Sequence, residues 1–236
     1  MIIIPARLAS TRFKDKIFCD IGGVPMFVAT AKRVAGCDEV VVAVDDERAA
    51  AIARKHGLRA VMTSQAHQSG TDRIDEAARI LGLSESELII NVQADEPFIE
   101  PENIAKFIEF CKARKDEAFM FSCYKLVGSE LADDNNLVKV VTDDAGSALY
   151  FSRSRIPFNR ARCDVYKAHL GIYGYDAKNL REFCSFAPSF LENVEKLEQL
   201  RALQNGKKIA MLEVKSESIG IDSEQDYERA KAKFGF

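Results

Sequence analysis

Short apolar runs at residues 2–4, 40–44, 60–62 and 88–92 punctuate the first half of the chain, each closed off by polar residues. Runs this brief, rich in Ile and Val, read as strands buried on both faces. Between them the spacing becomes helical, with Ile74, Ala77, Ala78 and Leu81 falling at i, i+3, i+4 and i+7. That alternation predicts an α/β fold, with helices on both faces of a sheet. The second half is richer in strands, at residues 119–126, 137–142, 148–151, 169–175 and 209–214, so a mixed sheet is expected there, continuous with the first or wrapped onto it. Its helices are expected at 177–186 and 191–205, with Gly206 placed to end the second, and a final helix follows Asp222. No repeat, low-complexity tract or linker divides residues 1–236, which predicts a single domain.

The 236 residues carry a net charge of −3, too little positive charge to cover a phosphate backbone, so nucleic acid is not an expected partner. No apolar stretch approaches membrane-spanning length and no signal peptide precedes Met1, so a cytoplasmic location with no membrane partner is expected. Six scattered cysteines without a C-x-x-C pair, and three separated histidines, offer no zinc cluster; reduced, mostly buried thiols are expected.

Candidate chemistry begins where the first strand ends. Ligands of open α/β sheets bind beyond the carboxyl ends of the strands, and there "PARLASTRFKDK" gathers Arg7, Arg12, Lys14 and Lys16. The loop suits a polyphosphate, or else is a solvated basic loop; no G-x-G-x-x-G and no P-loop motif is present. "QADEP" puts Asp95 and Glu96 at another strand end, where acids can hold magnesium together with phosphate oxygens or simply form a turn. Asp45 and Asp46 read as caps for a helix through residues 49–56. In "HQSGTDRID", Ser69 or Thr71 can cap a helix, Gly70 permits close approach and Arg73 lies on the first turn. In "LENVEKLEQLRAL", Leu191, Val194, Leu197, Leu200 and Leu203 form an apolar arc. Glu198 and Arg201 fall inside that arc, which implies an internal ion pair or a polar pocket. Asp222, with Gln225 three residues on, reads as a capping box or as a ligand.

Taken together, "IIPARLASTRF", "HQSGTDR", "NVQADEP", "ALYFSRSRIPF", "HLGIYGY" and "LEQLRAL" resemble the cytidylyltransferases that activate 3-deoxy-D-manno-octulosonate (Kdo), over essentially the whole chain. The resemblance implies a Rossmann-like nucleotide-diphospho-sugar transferase fold, mostly parallel, whose second half contributes a sugar pocket and the interface of a homodimer. It implies CMP transfer from CTP to Kdo for lipopolysaccharide biosynthesis, with Mg²⁺ as cofactor. Carried over residue by residue, it makes Arg7, Arg12 and Lys16 the catalytic triphosphate ligands. It places Ala6, Gln68, Ser69, Gly70, Arg73 and Asp95 around the nucleotide, and makes Asp95 and Asp222 the metal ligands. Gln93, Arg162, His169, Tyr173, Glu198 and Gln199 fall to the sugar acid. This chain departs from the family pattern at Lys14-Asp15, where a Pro-Gly pair is usual, at Ala94, where a glycine is usual, and in a shortened segment around Arg162.

Overall fold

The computed structural model of the chain describes residues 1–8, 13 and 15–236. They form two compact units, one of Met1–Lys106 with Ser216–Phe236 and the other of Phe107–Lys215.

In the first unit the apolar runs become strands as the pattern predicts. Its elements in chain order are β1 (Ile2–Ala6), β2 (Asp20–Ile21), β3 (Val24–Pro25), α1 (Met26–Val34), β4 (Val40–Val44), α2 (Glu47–Lys55), β5 (Arg59–Met62), α3 (Gly70–Ile80), β6 (Leu88–Val92) and, as far as Lys106, α4 (Pro101–Ala113). β1 is buried along its whole length and pairs in parallel with β4, from Ile2 opposite Val40 to Ala6 opposite Val44. It pairs in parallel with β6 on its other side, and β4 with β5. Parallel neighbours need long crossovers, which the helices supply. The shared direction brings the carboxyl ends of β1, β4 and β6 to one edge. Two helices lie outside the predicted elements: α1 opens on three consecutive buried apolar residues, Met26, Phe27 and Val28, which hide its period, and α4 runs from Pro101.

The second unit holds β7 (Met120–Gly128), β8 (Lys139–Thr142), β9 (Ala148–Ser152), β10 (Val165–Asp176), α5 (Ala177–Ser185), α6 (Phe190–Glu195), α7 (Leu200–Gln204) and β11 (Ile209–Glu213). Its sheet is mixed, as predicted: β10 runs antiparallel to β7 and β8, β9 antiparallel to β8, and β11 parallel to β7. The β10–β7 register shifts between Leu170 and Tyr173.

The helix expected at 191–205 is two helices. Lys196 adopts the left-handed conformation (φ 54°, ψ 47°) and ends α6. No continuous arc forms, since Val194 is 64% exposed. The cause lies off the helix: the Glu195 carboxylate accepts from Ser152 Oγ at 2.6 Å and from the Arg153 amide at 3.0 Å, so the end of α6 is tied to β9.

The chain then returns to the first unit and ends in α8 (Glu224–Phe234). Ser223, not Asp222, is its N-cap, in a capping box with Asp226; the Asp222 carboxylate is left for other work. All six cysteines are free thiols, but of these only Cys111 and Cys123 are buried, fewer than the composition suggests. Among the described residues no helix is long and apolar enough to cross a membrane.

Candidate active site

At the sheet edge of the first unit, three charges far apart in sequence converge. Lys16 opens a 3₁₀ turn after Asp15, which sits in the left-handed region at φ 53°. Asp95 follows the end of β6, and Asp222 precedes the cap of α8. The amide of buried Ile221 donates to the Asp95 carbonyl at 2.9 Å, which draws the two aspartates together. Lys16 Nζ donates to Asp95 Oδ2 at 2.6 Å and to Asp222 Oδ1 at 2.8 Å. Burial disfavours the ammonium charge, yet the two carboxylates outweigh it and the lysine pKa is raised.

Two carboxylates flanking one cationic position also suit magnesium, which takes one or two carboxylates and completes its octahedron with water and phosphate oxygens. Among the described residues no group of three or more His, Cys, Asp or Glu gathers to hold an ion without such help. Asp95 and Asp222 therefore fit a metal that arrives with a phosphate ligand.

The cationic loop begins at the end of β1, the parallel neighbour of β6 on the same sheet edge. Arg7 is exposed, and its Nη1 donates to the Gln68 carbonyl at 3.2 Å. Ala6 is the buried last residue of β1, and Arg12 lies outside the described residues. Ser69 is the N-cap of α3, accepting from the Asp72 amide at 3.1 Å, while Thr71 is buried. Gly70 meets the expected need for close approach: a Cβ there would sit 3.2 Å from Pro5 Cγ and 3.9 Å from Gln93 Oε1. The Gln93 amide itself donates to Asn91 Oδ1 at 3.1 Å.

Arg73 departs from its expected place among the nucleotide ligands. It is 1% exposed, and its guanidinium donates to Thr63 Oγ1 at 2.6 Å, the Ser64 carbonyl at 3.3 Å and Asp45 Oδ2 at 2.9 Å. Burial lowers its pKa despite Asp45, as expected for a cation withdrawn from water. Asp45 departs too: Asp46 alone caps α2, accepting from the Arg48 amide at 2.8 Å.

The second unit assembles its own polar group. Tyr173 OH donates to Gln199 Oε1 at 3.3 Å, and the His169 ring lies 5.5 Å from that of Tyr173. His169 Nε2 and Ser122 Oγ are 2.9 Å apart, and the Phe151 ring meets the imidazole edge-on at 5.1 Å. Burial, then the charge of Glu198, pushes the Tyr173 hydroxyl up. The inward ion pair is chiefly Arg201 with Glu192, at 2.8 Å and 2.5 Å; Glu198 stands 3.5 Å from the same guanidinium. Arg162 is not brought to this group: its side chain is 88% exposed and pairs with Asp164 at 2.7 Å. Arg153, absent from the predicted set, donates to the carbonyls of Glu195, Asn135 and Lys196 and so holds the α6–α7 corner that presents Glu198 and Gln199. Its only signal in the sequence was its place just past a strand, in "ALYFSRSRIPF".

Burial lowers the His169 pKa to about 3, so the imidazole is expected to stay neutral. Its NMR shifts should not titrate between about pH 8 and pH 5, where an ordinary histidine of pKa ~6.5 would. Because the folded pKa lies below the unfolded one, the neutral ring's contribution is full above about pH 6.5 and is lost as pH falls toward 3. A midpoint near 6.5 in the folded protein would contradict this.

A family model described as cytidylyltransferase matches residues 1–209. The 3-deoxy-manno-octulosonate cytidylyltransferase of a Nitratiruptor species is 51% identical over 236 residues, covering 99% of each chain. That of Wolinella succinogenes is 52% identical over 246 residues, covering 100% of this chain and 99% of the relative. The solved structure of CMP:2-keto-3-deoxy-manno-octonic acid synthetase complexed with CTP superposes with a TM-score of 0.91 at 34% identity, covering 99% of this chain and 97% of that one. HddC from Yersinia pseudotuberculosis shares the fold alone, with a TM-score of 0.69 at 14% identity, covering 99% of this chain and 98% of its own.

Proposed function

The chain belongs to the cytidylyltransferase family, and from that premise we propose that it transfers CMP from CTP to Kdo, giving CMP-Kdo and diphosphate for lipopolysaccharide biosynthesis. The names of its full-length relatives and the CTP complex of its structural counterpart support the two substrates. The observation that carries the chemistry is the Lys16 ammonium held between Asp95 and Asp222 at the carboxyl edge of the sheet.

In this reaction the anomeric hydroxyl of Kdo forms a bond to the α-phosphorus of CTP. The bond from that phosphorus to the bridging oxygen breaks, diphosphate leaves and the hydroxyl proton is released. Little covalent work falls to the protein, so positioning and charge neutralisation carry the rate. Arg7 and Lys16 supply positive charge to the triphosphate. Asp95 and Asp222 would hold magnesium, which when bound neutralises phosphate charge. His169, Tyr173, Glu198 and Gln199 offer the mixture of donors and acceptors that a polyhydroxy acid needs, the neutral imidazole donating or accepting according to its tautomer. A cytoplasmic location and a homodimer belong to the same proposal and rest on the family resemblance.

Diphosphate release measured with CTP, UTP, ATP and GTP, each against Kdo and sialic acid, tests the reading. CTP with Kdo should be fastest, and excess chelator should abolish turnover. A faster rate with another base or acid would displace the substrate assignment, and full turnover in chelator would remove the metal.

A further inference from the structure

Asp45 is a buried acid at the carboxyl end of β4, and neither the reaction nor the capping of α2 uses it. Its two oxygens serve different segments. Oδ1 accepts from the Leu8 amide at 3.0 Å, on the residue that follows Arg7, while Oδ2 accepts from Arg73 Nη2 at 2.9 Å. Its carbonyl accepts from Gln65 Nε2 at 3.0 Å. Arg73 in turn grips Thr63, whose hydroxyl donates to the Val44 carbonyl at 2.9 Å. One carboxylate thus ties the first turn of α3 and the end of β4 to the main chain where the cationic loop begins.

A buried ion pair is weak evidence for stability, because the cost of desolvating two charges offsets much of their attraction. Here the pair has a third member. The Leu8 amide would otherwise be a loop donor with nothing fixing its direction, and the charge-assisted bond to Asp45 sets it. Arg7 is therefore held twice, through the main chain just after it by Asp45 and through its guanidinium by the Gln68 carbonyl. An arginine that must meet phosphate oxygens gains affinity when its direction is set before the ligand arrives.

We propose that Asp45 is a positioning residue for the nucleotide: through the Leu8 amide it fixes the main chain beside Arg7, and Arg73 is the buried cation that keeps its carboxylate in place. The proposal rests on the CTP-binding reading of the site.

Asparagine at position 45 keeps an oxygen for the Leu8 amide but loses the charge that pairs with Arg73; alanine loses both. Both variants should melt lower, since each strands the guanidinium. Only Asp45→Ala should raise the KM for CTP, by about tenfold, as the loss of one well-made hydrogen bond allows, while Asp45→Asn stays within about threefold. In neither should the KM for Kdo move. Leu8→Pro attacks the bond from the other end, leaves the ion pair intact and should raise the KM for CTP as Asp45→Ala does; it serves if the alanine variant does not fold. An unchanged KM for CTP in folded Asp45→Ala or Leu8→Pro would overturn the proposal. So would equal rises in the alanine and asparagine variants, which would mark a purely structural role. A wild-type protein that fails to turn over CTP would instead speak against the proposed function.

Discussion

A Lys16→Met enzyme is expected to bind CTP within a few-fold of the wild type and to turn over at least about a hundredfold more slowly, a loss of ~2.7 kcal/mol in transition-state stabilisation. Lys16 is mostly buried and already held by two carboxylates at 2.6 and 2.8 Å, so its charge is aimed before any substrate arrives. Charge that builds on the phosphates as the bond to diphosphate breaks is what such a preorganised cation can stabilise. The substitution also leaves Asp95 and Asp222 facing each other without the cation between them, so some stability should be lost as well. Steady-state kinetics separate the roles. A raised KM for CTP with kcat intact would reduce Lys16 to a ground-state anchor.

The second large effect is expected of Asp222→Asn. As the N-cap of the last helix, Asp222 would have tolerated asparagine, which caps about as well as aspartate. The cap is Ser223, however, and Asp222 turns its Oδ1 to Lys16 instead. Melting should therefore stay near the wild type while kcat falls at least about a hundredfold, again ~2.7 kcal/mol, because asparagine lacks the charge that a magnesium site and the lysine both require. Ser223→Ala is the complementary change: it should cost about 1 kcal/mol of stability with catalysis kept. Activity within a few-fold of normal in folded Asp222→Asn would leave the carboxylate as no more than a partner for Lys16.

β1, β4 and β6 were legible because both their faces are buried, so apolar residues run together in each. The break at Lys196 was not, because a left-handed residue usually announces itself as Gly or Asn, and here the stop comes from Glu195 being drawn to a strand over forty residues earlier. Asp222 and Ser223 differ by one position, and pattern alone cannot decide which of two adjacent polar residues turns its side chain back to the helix. Arg73 on a helix's first turn looked like an anion ligand; only the fold shows it buried against Asp45. Lys16, Asp95 and Asp222 lie 79 and 127 residues apart, so no local spacing joins them. Family resemblance did that, and the bond from Ile221 to Asp95 gives its physical form.

The fate of the α-phosphorus is the most direct test of CMP transfer to Kdo. Following CTP and Kdo by ³¹P NMR with magnesium present should show the triphosphate signals replaced, one for one, by a CMP-Kdo phosphodiester and free diphosphate. CMP and diphosphate without the ester, a diester that forms as well without Kdo, or unchanged CTP would contradict it.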